Sequence, residues 1–144
     1  MSLRIAKILL VGALAFYACI VAYDNIIDYG SNYQFVRHVL SMDTTFPGNA
    51  LIHRAITNER VWSKVYALII AWESLTCGLL AIGALALLVR LRAPAAIFNR
   101  AKTWAIGGLM AGFALGSSVF WWWPANTSRC GNRKPGTGRR RRLG

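Results

Sequence analysis

Acidic residues are scarce in this 144-residue chain: five Asp and Glu stand against 17 Lys and Arg, and there are only two histidines, three cysteines and four prolines. Each scarcity excludes a class of chemistry. Cys19, Cys77 and Cys130 form no Cys-x-x-Cys pair and no Cys/His zinc spacing, so neither a zinc site nor a disulfide framework is implied. Cys19 and Cys77 fall within apolar runs and are expected to be small packing residues. His38 and His53 lack a supporting carboxylate spacing, which weighs against metal or haem ligation and favours a role facing solvent or lipid headgroups. No nucleotide-binding Gly loop, Ser/His/Asp order or zinc motif is present. Catalysis is therefore not expected, and no metal or cofactor is.

What the chain has in abundance is apolar length. Hydrophobic residues make up 56% of it. Ile8 to Tyr23 runs without a charge, and Val61 to Val89 contains one acid, Glu73, and one base, Lys64, near its start. At about 1.5 Å rise per residue, the second run more than covers the ~30 Å hydrocarbon core of a bilayer. A third apolar run extends from Thr103 to Trp123. The expected fold is all-α: an integral membrane bundle with spans at about 5–27, 61–89 and 103–123, together forming a membrane domain over residues 1–123. The basic start followed by an apolar centre also matches a signal peptide. No small-x-small cleavage site precedes a polar stretch, so the first run is read as a retained span.

Residues 28–60 form the polar connection between the first two spans. Within it, Gln34, Arg37, His38 and Ser41 recur with helical period on one face, and Tyr33, Val36, Val39 and Leu40 on the other. That pattern predicts a short amphipathic helix over about 32–42, lying at the membrane interface. Phe46-Pro47-Gly48-Asn49 predicts a turn, and 49–58 is a further candidate helix. Asn58, followed by Glu59, is a plausible cap for the second span. Arg90-Leu91-Arg92-Ala93-Pro94 predicts that span's end.

Three features are candidates for function. Glu73 is an ionisable group inside a span, which is costly and points to a functional site by default. It is either a proton- or cation-handling carboxylate or a structural group hydrogen-bonded to another helix, with Ser74, Thr76 and Tyr66 as nearby donors. A second candidate is the polar cluster of the outer segment: Asp28, Arg37, His38, Asp43 and Arg54. There, carboxylates paired with arginines can pin the segment to the bundle, or the acids, with Asp24, can form a cation funnel; pinning is the favoured reading. A third is Gly108, Gly112 and Gly116, which make a groove where a helix of the same chain or of a partner can approach closely. Tyr17, Tyr23, Tyr29, Trp62, Tyr66 and Trp104 lie toward span ends, as an interfacial aromatic belt would.

Cations in short loops set orientation. The N-terminus and the 90–102 loop are basic without an acid, which places both in the cytoplasm and the 28–60 segment outside. The net charge of +12 owes much to the last 16 residues, which hold Arg129, Arg133, Lys134 and Arg139 to Arg142. Three spans put this tail outside, where cations are disfavoured. The stretch 124–144 has no periodicity and reads as a disordered basic tail. Its Arg run resembles a nucleic-acid patch only superficially, and no nucleic-acid partner is expected. The bilayer is the expected environment, with a membrane-protein partner or a second copy of the chain as the further contact.

The stretches Asn25-Ile26-Ile27-Asp28-Tyr29 and Ser31 to Asp43, with Phe46-Pro47, Arg54-Ala55-Ile56-Thr57, Tyr66, Glu73 and Phe98-Asn99-Arg100-Ala101-Lys102, resemble a bacterial family of predicted small integral membrane proteins, domain of unknown function 2165. The resemblance covers roughly residues 4–119. It implies about four membrane helices, a bacterial inner-membrane location and no established reaction. Two functions are consistent with it: a structural or accessory component of a membrane complex, or a small proton- or cation-coupled transporter or channel-like protein using Glu73. Relatives continue past the third span into a segment like Gly-Glu-Trp/Tyr-Phe-x-Met-Trp-Gln-Ser and a final apolar span, whereas here Trp121-Trp122-Trp123-Pro124 leads into the basic tail.

The genetic code makes that departure testable. Read from the third base of each codon, adjacent Trp codons give Val and Trp123-Pro124 gives Ala. Synonymous choices then turn the tail into Gly-Glu-Tyr-Phe-Ala-Met-Trp-Gln-Ser and onward, the family segment. A frameshift near residues 116–120 is the expectation, against an inverted topology with a genuine cytoplasmic tail. Resequencing the gene should find codons that yield this string in the shifted frame; codons incompatible with it overturn the frameshift.

Overall fold

The computed structural model describes residues 1–45 and 51–127, with side chains described as far as Ser118. Four α-helices carry the described chain: α1 (Ser2–Ile27), α2 (Tyr29–Ser41), α3 (Glu59–Val89) and α4 (Ala95–Thr127). A single 3₁₀ turn, Ile52–Arg54, precedes α3. No strand occurs among the described residues.

Local chemistry explains most of the boundaries. α1 and α2 are separated only by Asp28, whose N–H is donated to the Asp24 carbonyl while its own carbonyl accepts from Asn32. The amphipathic helix thus begins at Tyr29, three residues ahead of its expected start. It ends where Met42 takes a left-handed conformation (φ 53°) and donates its N–H to the His38 carbonyl. α3 starts as its cap predicts: the Asn58 side chain accepts from Arg60 N at 3.0 Å, satisfying one of the orphan donors of a helix start. The turn expected at Phe46–Asn49 lies outside the described residues. Of the helix expected over 49–58, the described part contains only the 3₁₀ turn.

The largest difference is at α4, which begins at Ala95, eight residues before the expected span. Proline is tolerated at a helix start because its missing N–H would be unpaired there anyway, so Pro94 opens this helix as well as closing the one before it. Phe98 donates its N–H to the Pro94 carbonyl at 3.1 Å. Phe98 and Ala101 are buried, so this first turn is held by packing. The cations Arg100 and Lys102 therefore sit on a helix, and the connection shrinks to 90–94. At the other end α4 remains helical to Thr127, so 124–127 are not part of a disordered tail, and 128–144 lie outside the described residues.

α3 is the central element. It packs against α1 on one side and α4 on the other. Ile8, Val11, Ala15 and Ala18 of α1 meet Leu80, Ala84 and Leu87 of α3 and Phe98, Ala101 and Ala105 of α4 in one apolar cluster. α3 and α4 touch almost backbone to backbone. A methyl added at Gly83 would lie 2.6 Å from the Ala105 nitrogen, and one at Gly108 would lie 2.8 Å from Leu80 Cγ. Gly112 faces Thr76 Cγ2 at 3.2 Å, while Gly116 has open space. The groove at Gly108 and Gly112 is thus filled by α3 of the same chain.

Two helices among the described residues, α1 and α3, are long and apolar enough to cross a membrane, not the three expected. The span expected over 103–123 runs past Ser118, so only its first part, after the polar Asn99, Arg100 and Lys102, falls among the residues described with side chains. Large apolar side chains point outward along all three long helices, among them Leu9, Phe16, Leu68, Leu85, Met110 and Phe113. In water such continuous apolar surface far exceeds what a soluble monomer exposes; in lipid it is the expected exterior.

One covalent link was not anticipated. Cys19 of α1 and Cys77 of α3 are joined in a disulfide, with Cα atoms 5.0 Å apart. The reading of both as packing residues is thus corrected. Fifty-eight positions separate them, so only the antiparallel register of α1 and α3 brings them together. Peptide mapping of the unreduced protein should recover the Cys19 and Cys77 peptides joined and release them on reduction. Alkylation of both thiols without prior reduction would overturn the link.

A polar clasp between α1 and α3

Glu73 lies on the α1-facing side of α3, one helical turn from Cys77. The amide Nδ2 of Asn25, near the end of α1, donates to Glu73 Oε2 at 2.6 Å. Two turns before Glu73 on the same helix, the Tyr66 hydroxyl donates to the Asn25 backbone carbonyl at 2.8 Å. That carbonyl belongs to the last turn of α1, where carbonyls have no partner within the helix. Asn25 is therefore held twice by α3, once through its main chain and once through its side chain. Both hydrogen bonds cross between helices separated in sequence by more than 40 residues.

The donors expected around Glu73 are used differently. Ser74 donates to the Ile70 carbonyl and Thr76 to the Trp72 carbonyl, both within α3. Tyr66 serves Asn25. The donor that meets Glu73 is Asn25, which sequence reading passed over. Its signal was weak: an Asn beside Asp24, before the polar segment, looks like any loop-proximal amide. Only the register of α1 against α3 reveals it.

An aromatic cluster roofs this clasp. Tyr66 is 1% exposed. The Tyr29 ring packs edge-on against it at 4.8 Å and the Tyr33 ring at 6.0 Å. Tyr29 and Tyr33 stack on each other one helical turn apart, which fastens α2 to the start of α3. Trp62 is also buried and donates its indole N–H to the Ile56 carbonyl at 2.6 Å. Ile56 N in turn donates to the Leu40 carbonyl at 2.8 Å. Trp62 and Tyr66 are therefore core residues of the α2–α3 junction, while Tyr17, Tyr23 and Trp104 are exposed as a belt would have them.

The outer polar residues are only partly brought together. His38 Nδ1 and the Asp43 carboxylate lie 2.8 Å apart, closing the C-terminal end of α2. The Arg37 guanidinium donates to Gln34 Oε1 at 3.0 Å and lies 5.5 Å over the Trp62 ring, a cation–π contact. Asp28 occupies the α1–α2 junction and Arg54 the end of the 3₁₀ turn. Among the described residues neither forms an ion pair with Arg37, His38 or Asp43, and His38–Asp43 is the sole ion pair. Among the described residues there is also no group of three His, Cys, Asp or Glu able to hold a metal ion.

Chemically, the clasp can accept or release a proton at Glu73, or it can serve only to lock two helices. Comparison with known proteins gives the class but not the chemistry. The family model for predicted small integral membrane proteins matches residues 3–123. No curated protein and no solved structure matches the chain.

The clasp makes a graded prediction. Glu73→Gln keeps a carbonyl oxygen to accept from Asn25 and should leave the thermal midpoint in detergent nearly unchanged. Glu73→Leu strands the Asn25 amide, at about 1–3 kcal/mol, and should lower the midpoint clearly. Equal midpoints for the two variants would show that the bond contributes nothing to the fold.

Proposed function

Because the chain belongs to the family of predicted small integral membrane proteins, domain of unknown function 2165, we propose that it is a non-catalytic structural or accessory component of a membrane complex. The observation that carries this reading is the Asn25–Glu73 hydrogen bond. A carboxyl in a span is costly unless it is partnered, and here a neutral amide of the neighbouring helix partners it. Side chain, main chain and disulfide all act along the same α1–α3 seam. They make α1 and α3 a rigid pair, which suits a scaffold better than a moving part.

In this proposal α4 is the third span, with its apolar portion at 103–123. The membrane is the bacterial inner membrane. The start of α1 and the 90–94 connection face the cytoplasm, where Arg4, Lys7, Arg90, Arg92, Arg100 and Lys102 accord with the bias of cations to that side. A partner would meet the lipid-facing surfaces, since α3 occupies the groove at Gly108 and Gly112.

The competing reading is transport, and the half-buried state of Glu73 favours it. Two measurements separate them. Extraction from native membranes in mild detergent should recover the chain with a membrane protein in fixed ratio. In proteoliposomes the parent protein should give no proton or cation flux above empty vesicles. A flux that Glu73→Gln abolishes would replace the accessory role by transport.

A further inference from the structure

Four of the five carboxylates, Asp24, Asp28, Asp43 and Glu59, lie toward the α2 end of the bundle, and Glu73 lies midway along α3. The opposite end has six cations and no acid: Arg4 and Lys7 on α1, Arg90 and Arg92 after α3, and Arg100 and Lys102 on α4. Two of these meet at one ring. The Arg4 guanidinium lies 4.8 Å from the Phe98 ring centroid and the Lys102 ammonium 5.7 Å from it. Phe98 itself is buried. Lys7 follows Arg4 by one turn of α1 and is near enough to Lys102 for the two ammonium groups to repel. Arg4, Lys7 and Lys102 are all half-buried.

Few protein groups offset this charge. Arg4 donates from Nη1 to the carbonyls of Leu91 and Ala93, at 2.9 and 2.7 Å, which ties α1 to the α3–α4 connection. Lys102 donates to Asn99 Oδ1 at 2.7 Å. These partners are neutral. Desolvation, the neighbouring Lys7 ammonium and Arg4 beyond it hold the Lys102 ammonium below the usual lysine range. The N-termini of α1 and α4 also open at this end, and each adds the positive pole of a helix dipole. Leu3 and Ile97 are exposed beside the cluster, and Leu10 and Ile106 farther along the same two helices.

We propose that Lys7 and Lys102, positioned by Arg4 and Phe98, bind the phosphodiester headgroup of an anionic phospholipid at the junction of α1 and α4. Two neighbouring ammonium groups with no acid beside them attract an anion, and a phosphate offers each a charge-assisted bond. The lipid source, over free phosphate, follows from position. The site lies at the rim of the apolar surface, so the headgroup meets the cations while its acyl chains lie along exposed leucine and isoleucine side chains. A juxtamembrane cation near an anionic leaflet strengthens attraction about fivefold.

The test uses the full chain in mild detergent and counts retained lipid by native mass spectrometry. Phosphatidylglycerol and phosphatidylcholine with identical acyl chains are the probes. The parent should retain phosphatidylglycerol preferentially. Lys102→Gln should reduce that preference about fivefold, and Lys7→Gln with Lys102→Gln about twentyfold or more. Arg60→Gln with Lys64→Gln, the same charge change at the other end, should leave it intact. Circular dichroism checks the fold of each variant; should the double variant lose helicity, Lys102→Gln alone decides. Equal retention of both lipids by the parent overturns the proposal, as does an unchanged preference in Lys102→Gln or an equal loss in the outer-end control. Displacement of phosphatidylglycerol by millimolar inorganic phosphate would instead assign the site to a soluble anion and overturn the lipid.

Discussion

The backbone-to-backbone approach of α3 and α4 sets the geometry on which everything else rests. Gly83 against Ala105, and Gly108 against Leu80, leave no room for a further methyl. In a bilayer the hydrophobic effect does not drive helices together, because lipid tails are as apolar as the side chains. Close van der Waals contact between small residues has to supply the association, and glycine supplies it by letting main chains meet. The Trp72 indole adds a hydrogen bond to the Ala111 carbonyl across the same interface, at 2.8 Å. With α4 fixed this way on one side, α3 presents its other side to α1.

The α1–α3 seam uses different means. Its apolar contacts are modest in size, Val11 and Ala15 among them, and it is reinforced by a disulfide at Cys19–Cys77 and the Asn25–Glu73–Tyr66 clasp. The clasp and the disulfide follow one another along α3 at Tyr66, Glu73 and Cys77, which all meet the same stretch of α1. A polar pair inside a span contributes only modestly in measured cases, so its value here is register: slipping α1 by one residue would part Asn25 from Glu73 and Cys19 from Cys77 together. The α2 helix then covers one end of this seam through Tyr29 and Tyr33 packed on Tyr66.

The two ends of the bundle are electrostatically unlike. The end at α2 mixes signs and satisfies itself through His38–Asp43, Arg37 over Trp62 and main-chain bonds around Ile56. The opposite end is basic throughout, and its closest charges are held together by a shared aromatic ring and by carbonyls. That asymmetry leaves the bundle with one end of mixed sign and one uniformly basic end.

The sequence by itself determined the class, the positions of α1 and α3, the amphipathic helix within three residues of its start and the Asn58 cap, because these depend on local periodicity, length and capping chemistry. It also singled out Glu73, since one acid in a long apolar run is conspicuous without any partner being known. Tertiary structure decided what each of those features is for. The glycine groove turned out to be filled by α3, Cys19 met Cys77, Asn25 met Glu73, and Trp62 and Tyr66 moved from a lipid belt into the core. Apart from the contacts of Trp62, these pairings link residues more than 25 positions apart, and no local pattern encodes the register of one helix against another. The early start of α4 belongs to the same group: Asn99, Arg100 and Lys102 read as a loop until Phe98 and Ala101 find Leu87 to pack against, and burial of one face then outweighs the polarity of the other.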